Sequence, residues 1–209
     1  MKHHKFDRGL QFDEAKRRLL DSLNNGEIFN KAKNEDSKKQ YERMIYILLI
    51  CSRNGCRIGE GVNIYNQFCN DGIRQTEFVV EKRGHKVKYK LNESGGRIYY
   101  YDKITKRIRP RIVEGSERYE PYRKLGIVPE EVKNIGKYNS SKAYITGFAI
   151  KHFYFNPHTL RFAMMNELKR KGKDIQDIAY ALGHTNSITT EKYFRKKTAE
   201  EIIKNDIKW

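Results

Sequence analysis

The chain has 209 residues, and 43 Lys+Arg against 26 Asp+Glu give it a formal net charge of +17 and a pI near 9.7. A hydrophobic fraction of 38% with 12% aromatics suffices for one packed core, which excludes a disordered basic tail and argues against two large domains. The longest apolar run, Met44–Cys51, is eight residues, far short of the ~20 that cross a bilayer, and no charged start followed by an apolar stretch marks a secretory signal. Three cysteines, Cys51, Cys56 and Cys69, form neither an even set nor a zinc spacing, so a disulfide framework and a structural metal are both disfavoured. The expectation is a cytoplasmic protein away from membranes, and a small domain this basic points to nucleic acid, because each phosphate contact releases counterions.

Phe12–Asn24 reads as a first helix, with Asp13 and Glu14 in its first turn and Ala15, Leu19, Leu20 and Leu23 on one side. Asn24–Gln40 is polar, a linker or weak helix. Tyr41–Ser52 is apolar almost all round, the pattern of a buried central helix, and stops at Asn54-Gly55. Ile73–Val80 and Lys86–Leu91 read as a basic β-hairpin turning at Arg83-Gly84-His85, its second strand alternating Lys86, Lys88 and Lys90 with Val87, Tyr89 and Leu91. Arg97–Val113 offers another strand pair, with Pro110 confined to an edge. Beyond Pro129 the pattern is helical: Ser140–Phe153, Leu160–Lys171, Ile175–Leu182, and Thr198–Lys208, which opens with a Thr198/Glu201 capping box. The fold class is α+β, mostly helical with a small antiparallel sheet carrying a basic hairpin.

Between Lys82 and Arg111 stand 11 Lys/Arg against only Glu93 and Asp102. Alone, such a run describes a solvated strand face with lysines that block edge pairing. Tyr89, Tyr99, Tyr100 and Tyr101, interleaved with the cations, favour packing along a sugar-phosphate backbone instead.

Three segments could carry chemistry. Gly55-Cys56-Arg57-Ile58-Gly59-Glu60 places an arginine just past the buried helix, where an Arg–Glu pair three apart is ordinarily a local ion pair. Asn156-Pro157-His158-Thr159-Leu160-Arg161 puts His and Arg on one face of a helix start, within reach of one anion. Leu182-Gly183-His184, followed by Thr189–Tyr193, taken alone reads as a helix-turn-helix.

Together, in this order and spacing, these segments resemble the catalytic domain of tyrosine recombinases, the phage-integrase family. That family has a TGxR-x-x-E turn, a hairpin lysine about two dozen residues later, an HxLR segment, an LGH box, and a tyrosine nine residues beyond its histidine. The corresponding residues here are Arg57, Lys82, His158 with Arg161, His184, and Tyr193. Two positions depart from the pattern: Phe162 stands where His is common and Gly59 where a small residue such as Ser is usual. Lys86, Lys103 and Lys106 compete with Lys82 as the hairpin lysine if the strand register differs.

The resemblance implies cleavage through a 3′-phosphotyrosyl intermediate, with Tyr193 as nucleophile and His158 as proton acceptor. Arg57 and Arg161 would clamp the non-bridging oxygens, Lys82 would protonate the leaving 5′-oxygen, and His184 would hydrogen-bond the phosphate. Glu60 is assigned to orienting Arg57, and Arg83, Lys86 and Lys88 to DNA contact. No cofactor and no metal is called for, since guanidinium groups supply the charge. The implied partner is double-stranded DNA, with a tetramer on DNA and a monomer or weak oligomer in solution. One catalytic domain is expected over 1–209, with 1–11 a short extension, no core-binding domain ahead of it, and 194–209 a helix docking in the neighbouring protomer. The alternatives are a non-catalytic helix-turn-helix regulator, a type IB topoisomerase-like strand transferase, and a remnant that folds without cutting.

Overall fold

The computed structural model describes residues 10–79, 98–102, 107–111 and 123–182. Its elements are α1 (Phe12–Asn25), α2 (Glu35–Asn54), α3 (Ile58–Asp71), β1 (Gln75–Val79), β2 (Ile98–Asp102), β3 (Arg107–Arg111), β4 (Arg123–Ile127), α4 (Lys142–Phe153), α5 (His158–Arg170) and α6 (Ile175–Leu182), with one 3₁₀ turn at Phe29–Lys31. This is the mostly helical α+β class expected. No helix among the described residues is long and apolar enough to cross a membrane. The chain divides into two compact units, with breaks after Phe78 and after Arg123.

In the larger unit α2 packs against α1, α3, α4 and α5. Met44 to Ser52 are buried without a break, as the all-round apolar stretch demands. The helix begins well before that stretch: Asn34 Oδ1 accepts the Ser37 N–H at 2.8 Å, and Glu35 and Asp36 fill the first turn. Capping and the helix dipole set this start, not hydrophobic periodicity. The polar segment Asn24–Gln40 is therefore divided between the end of α1, the 3₁₀ turn and the beginning of α2. At the other end Gly55 closes α2 at φ 56°. A Cβ there would lie 2.5 Å from Met164 Sδ and 2.6 Å from Leu182 Cδ2, so glycine is required for both conformation and space.

The sequence reading assigns no helix to Ile58–Asp71, a stretch whose propensity Gly59 and Gly61 lower. The structure shows why a glycine belongs here: a Cβ on Gly61 would stand 2.5 Å from Cys51 Sγ, so α3 lies close against α2. Ile64, Tyr65 and Phe68 complete its buried face.

β1 confirms the first strand expected, but its described partner is β4 in a two-stranded sheet. Lys86–Leu91 and the turn at Arg83–His85 lie outside the described residues. Residues 128–141 then form a strap without regular structure, held by side chains. Arg74 donates to Pro129 O (2.5 Å) and Val132 O (3.1 Å), Arg43 to Ile135 O (2.7 Å) and Gly136 O (3.0 Å), and Asn66 engages both backbone groups of Tyr138. These bonds satisfy carbonyls and amides that no ladder reaches. Burial pushes the Tyr138 hydroxyl up to about 12, and it donates to Ser141 O at 3.0 Å.

The smaller unit contains the antiparallel pair expected within Arg97–Val113. β2 and β3 run in the register Ile98↔Arg111, Tyr99↔Pro110, Tyr100↔Arg109, Tyr101↔Ile108 and Asp102↔Arg107. Pro110 stands opposite Tyr99, and among the described residues β3 pairs with β2 alone.

Back in the larger unit, α4 starts on Ser141, whose Oγ accepts the Ala143 N–H, and ends at Tyr154 with φ 60°. α6 buries Ile178 and Leu182 against Phe162 and Met165 of α5. The expected helix Thr198–Lys208 lies outside the described residues.

Candidate active site

Arg57 is the N-cap of α3, in extended backbone at φ −76° and ψ 159°. A guanidinium has no acceptor to offer the orphan amides of a helix start. The junction is made from the other side by Glu60, three residues on. Its Oε2 accepts the Arg57 backbone N–H at 2.8 Å and its Oε1 accepts Nη1 at 3.1 Å. The Glu60 side chain is 2% exposed and that of Arg57 34%. A buried carboxylate is thus compensated by a guanidinium that keeps contact with solvent.

Beneath this turn Arg57 O accepts the Gly61 N–H at 2.8 Å and the Cys51 thiol at 3.7 Å. A hydrogen bond with Cys51 and burial push the Cys56 thiol well up, so Cys56 remains a neutral packing group and no nucleophile.

The second segment opens α5. His158 is its first residue, and its N–H donates to Asn156 Oδ1 at 3.0 Å. Its ring meets Phe162 edge-on, with centroids 5.2 Å apart. Phe162 is 7% exposed and belongs to the α5–α6 core, so the departure from the usual histidine places a packing wall beside His158.

One turn further, Arg161 is only 3% exposed. Its Nη1 donates to Gly55 O at 2.6 Å and its Nη2 to Leu182 O at 2.5 Å. Gly55 stands two residues before Arg57, and Leu182 two residues before His184. The three segments singled out in the sequence therefore meet at one buried guanidinium, through charge-assisted bonds of the strong class. Arg57, Glu60, His158 and Arg161 all lie in the larger unit. Lys82, Arg83, Lys86, Lys88, His184 and Tyr193 lie outside the described residues.

In the sequence Asn54 marks only the end of a helix. Its amide in fact donates to Ile50 O (2.9 Å) and Ile127 O (2.8 Å), and accepts the Ile127 N–H (2.9 Å). Nothing in the sequence signals a contact across 73 positions. Among the described residues no group of three or more His, Cys, Asp or Glu is arranged to hold a metal.

The class these features define is a basic, mostly helical domain that carries arginines at two helix starts and ties them together through one of them. The chain matches the Phage integrase family over residues 18–200 and belongs to it. It is 26% identical over 199 residues to "Putative integrase ORF241" of Acidianus two-tailed virus, a match covering 95% of this chain and 68% of that protein. No solved structure matches the chain. Membership implies a tyrosine recombinase with DNA as its partner.

Proposed function

We propose that the chain is a site-specific recombinase that cleaves and rejoins double-stranded DNA through a 3′-phosphotyrosyl intermediate. The observation that carries this reading is the convergence on Arg161 of the Gly55 turn, the start of α5 and the end of α6. Tyr193 Oη attacks the phosphorus, its proton passes to His158, and the P–O5′ bond breaks as Lys82 protonates the leaving oxygen. Arg57 and Arg161 stabilise the charge that grows on the non-bridging oxygens, and His184 hydrogen-bonds the same phosphate. A free 5′-hydroxyl reverses the ester, so the bond energy is conserved and no nucleotide cofactor is required. Arg83, Lys86 and Lys88 contact the backbone of the duplex, and the active assembly is a tetramer on DNA.

The surroundings of other tyrosines agree with this choice of nucleophile. Tyr46, Tyr65 and Tyr138 are buried, with hydroxyls donated to Glu42, Gly136 O and Ser141 O. Burial is the main cause pushing all three upward, which holds them protonated.

The test is a library of nicked suicide duplexes with a randomised core, incubated with the full chain in EDTA and resolved in SDS. A covalent protein–DNA band that disappears in Tyr193→Phe and in Arg161→Ala is expected. Tight duplex binding with no covalent band across the library would replace this reading with that of a non-catalytic regulator.

A further inference from the structure

The turn that presents Arg57 has anchors on three sides, and one is the side chain of Asn54. The last residue of β4, Ile127, has both of its backbone groups taken by the Asn54 amide: Ile127 N–H donates to Oδ1 at 2.9 Å, and Ile127 O accepts from Nδ2 at 2.8 Å. The side chain thereby copies what a neighbouring strand's peptide does in an antiparallel ladder, where one residue exchanges both bonds with its partner. Nδ2 also donates to Ile50 O one turn back in α2 at 2.9 Å, so the same group fixes the helix end and the strand end together. An amide is needed for this, because a carboxylate cannot donate and a hydroxyl has one proton, which cannot serve both Ile127 O and Ile50 O.

The next residue, Gly55, gives its carbonyl to Arg161 and turns at φ 56°. Two residues further Arg57 caps α3 against Glu60. Four consecutive residues thus hold β4, α5 and α3 to the end of α2. Arg57 is the member of this run whose side chain remains one-third exposed, so the aim of its guanidinium follows from how firmly the run is held.

Resting on the recombinase reading above, we propose that Asn54 is a positioning residue for Arg57. Its clamp on Ile127 sets the turn from which the guanidinium reaches the phosphate. It acts through Arg57 and does not itself meet DNA.

Asn54→Asp is the sharpest variant, since it keeps the acceptor for Ile127 N–H but sets a carboxylate against Ile127 O. Asn54→Ser, which shortens the side chain without adding charge, serves where the aspartate variant fails to fold. Two readouts on the full chain separate the ideas. The first needs no substrate: arginine labelling with phenylglyoxal, followed by peptide mass spectrometry. Arg57 is expected to label several-fold faster in the variants, while Arg17 and Arg170, exposed on α1 and α5, keep their rates. The second is the rate of covalent complex formation on a suicide duplex. A slowing of about ten- to a hundredfold, the scale of a small misplacement, is expected with duplex affinity within about twofold. In an Arg57→Ala background Asn54→Asp should add nothing to the loss of rate, because both act through one group.

Arg57 labelling that stays with the controls, or rate losses that multiply in the double variant, would make Asn54 structural only and overturn the proposal. If the unsubstituted chain forms no covalent complex while Arg57 labelling responds to Asn54, the recombinase reading fails and the coupling of Asn54 to Arg57 stands.

Discussion

At the start of α3 a carboxylate of the chain itself, Glu60, occupies the positive end of the helix, whereas α5 has no acidic residue in its first turn. Both starts carry a cationic side chain, and both satisfy their backbone amides locally. α3 does so with Glu60, and α5 with Asn156 Oδ1 on His158 N–H and a tight turn in which Thr159 and Leu160 donate to Asn156 O and Pro157 O. The difference lies in net charge. At α3 the arginine is paired with Glu60, while the first turn of α5 carries Arg161 and no acidic residue. On the proposed recombinase reading, the start of α5 is the place that would favour an incoming phosphate, and α3 would contribute an arginine whose aim is fixed before DNA arrives. An ordered guanidinium loses less freedom on binding, the benefit of preorganised sites.

Arg161→Ala should have the largest effect. Two charge-assisted bonds, each worth ~1.5–3 kcal/mol, are lost and leave Gly55 O and Leu182 O without those donors. A stability loss of about 3–5 kcal/mol in urea unfolding is expected, together with loss of covalent complex formation. Arg161→Lys keeps the charge but not the fork, so it should recover part of the stability and little of the cleavage. A loss under about 1 kcal/mol in Arg161→Ala would mean that the two helix starts hold together without it.

Glu60→Gln comes next. The amide still accepts the Arg57 N–H, but the ion pair is gone, so a cost of about 1–2 kcal/mol is expected, moderated by the solvent available to Arg57. Removing a negative charge beside the DNA should leave duplex binding equal or tighter in a filter assay, while covalent complex formation slows. Slower cleavage explained wholly by weaker binding would contradict the aiming role of Glu60.

These contrasts also show what a sequence carries and what it withholds. The buried stretch of α2, the helix end at Asn54-Gly55 and the helix Ile175–Leu182 follow from apolar periodicity and glycine chemistry, which are local. Arg57, Glu60, His158 and Arg161 stood out through spacing within short segments and through the resemblance of the whole set. α3 escapes a local reading because Gly61 answers a contact with Cys51 on another helix, a requirement that no window of neighbouring residues contains. β1 was legible as a strand, but pairing with β4 depends on chain far beyond it. Arg161 reads as a surface-type residue with an anion to bind. Its burial, and its bonds to carbonyls 106 and 21 positions away, exist only once the helices have packed. The same holds for Asn54 on Ile127.

The finest test of the comparison is at Asn156, where stability and activity should part. Asn156→Ala removes the acceptor for His158 N–H and should cost about 1 kcal/mol, the usual value of such a cap. Asn156→Asp keeps the acceptor and adds a negative charge to the positive end of α5, which ordinarily stabilises by ~0.3–1 kcal/mol. It also makes α5 resemble α3, with the chain's own carboxylate where the phosphate is expected. The aspartate variant should therefore melt at or above the temperature of the unsubstituted protein and yet bind duplex more weakly and form covalent complex more slowly. An Asn156→Asp protein that is both more stable and fully active would show that the positive end of α5 is not what receives the phosphate, and the contrast between the two helix starts would lose its functional meaning.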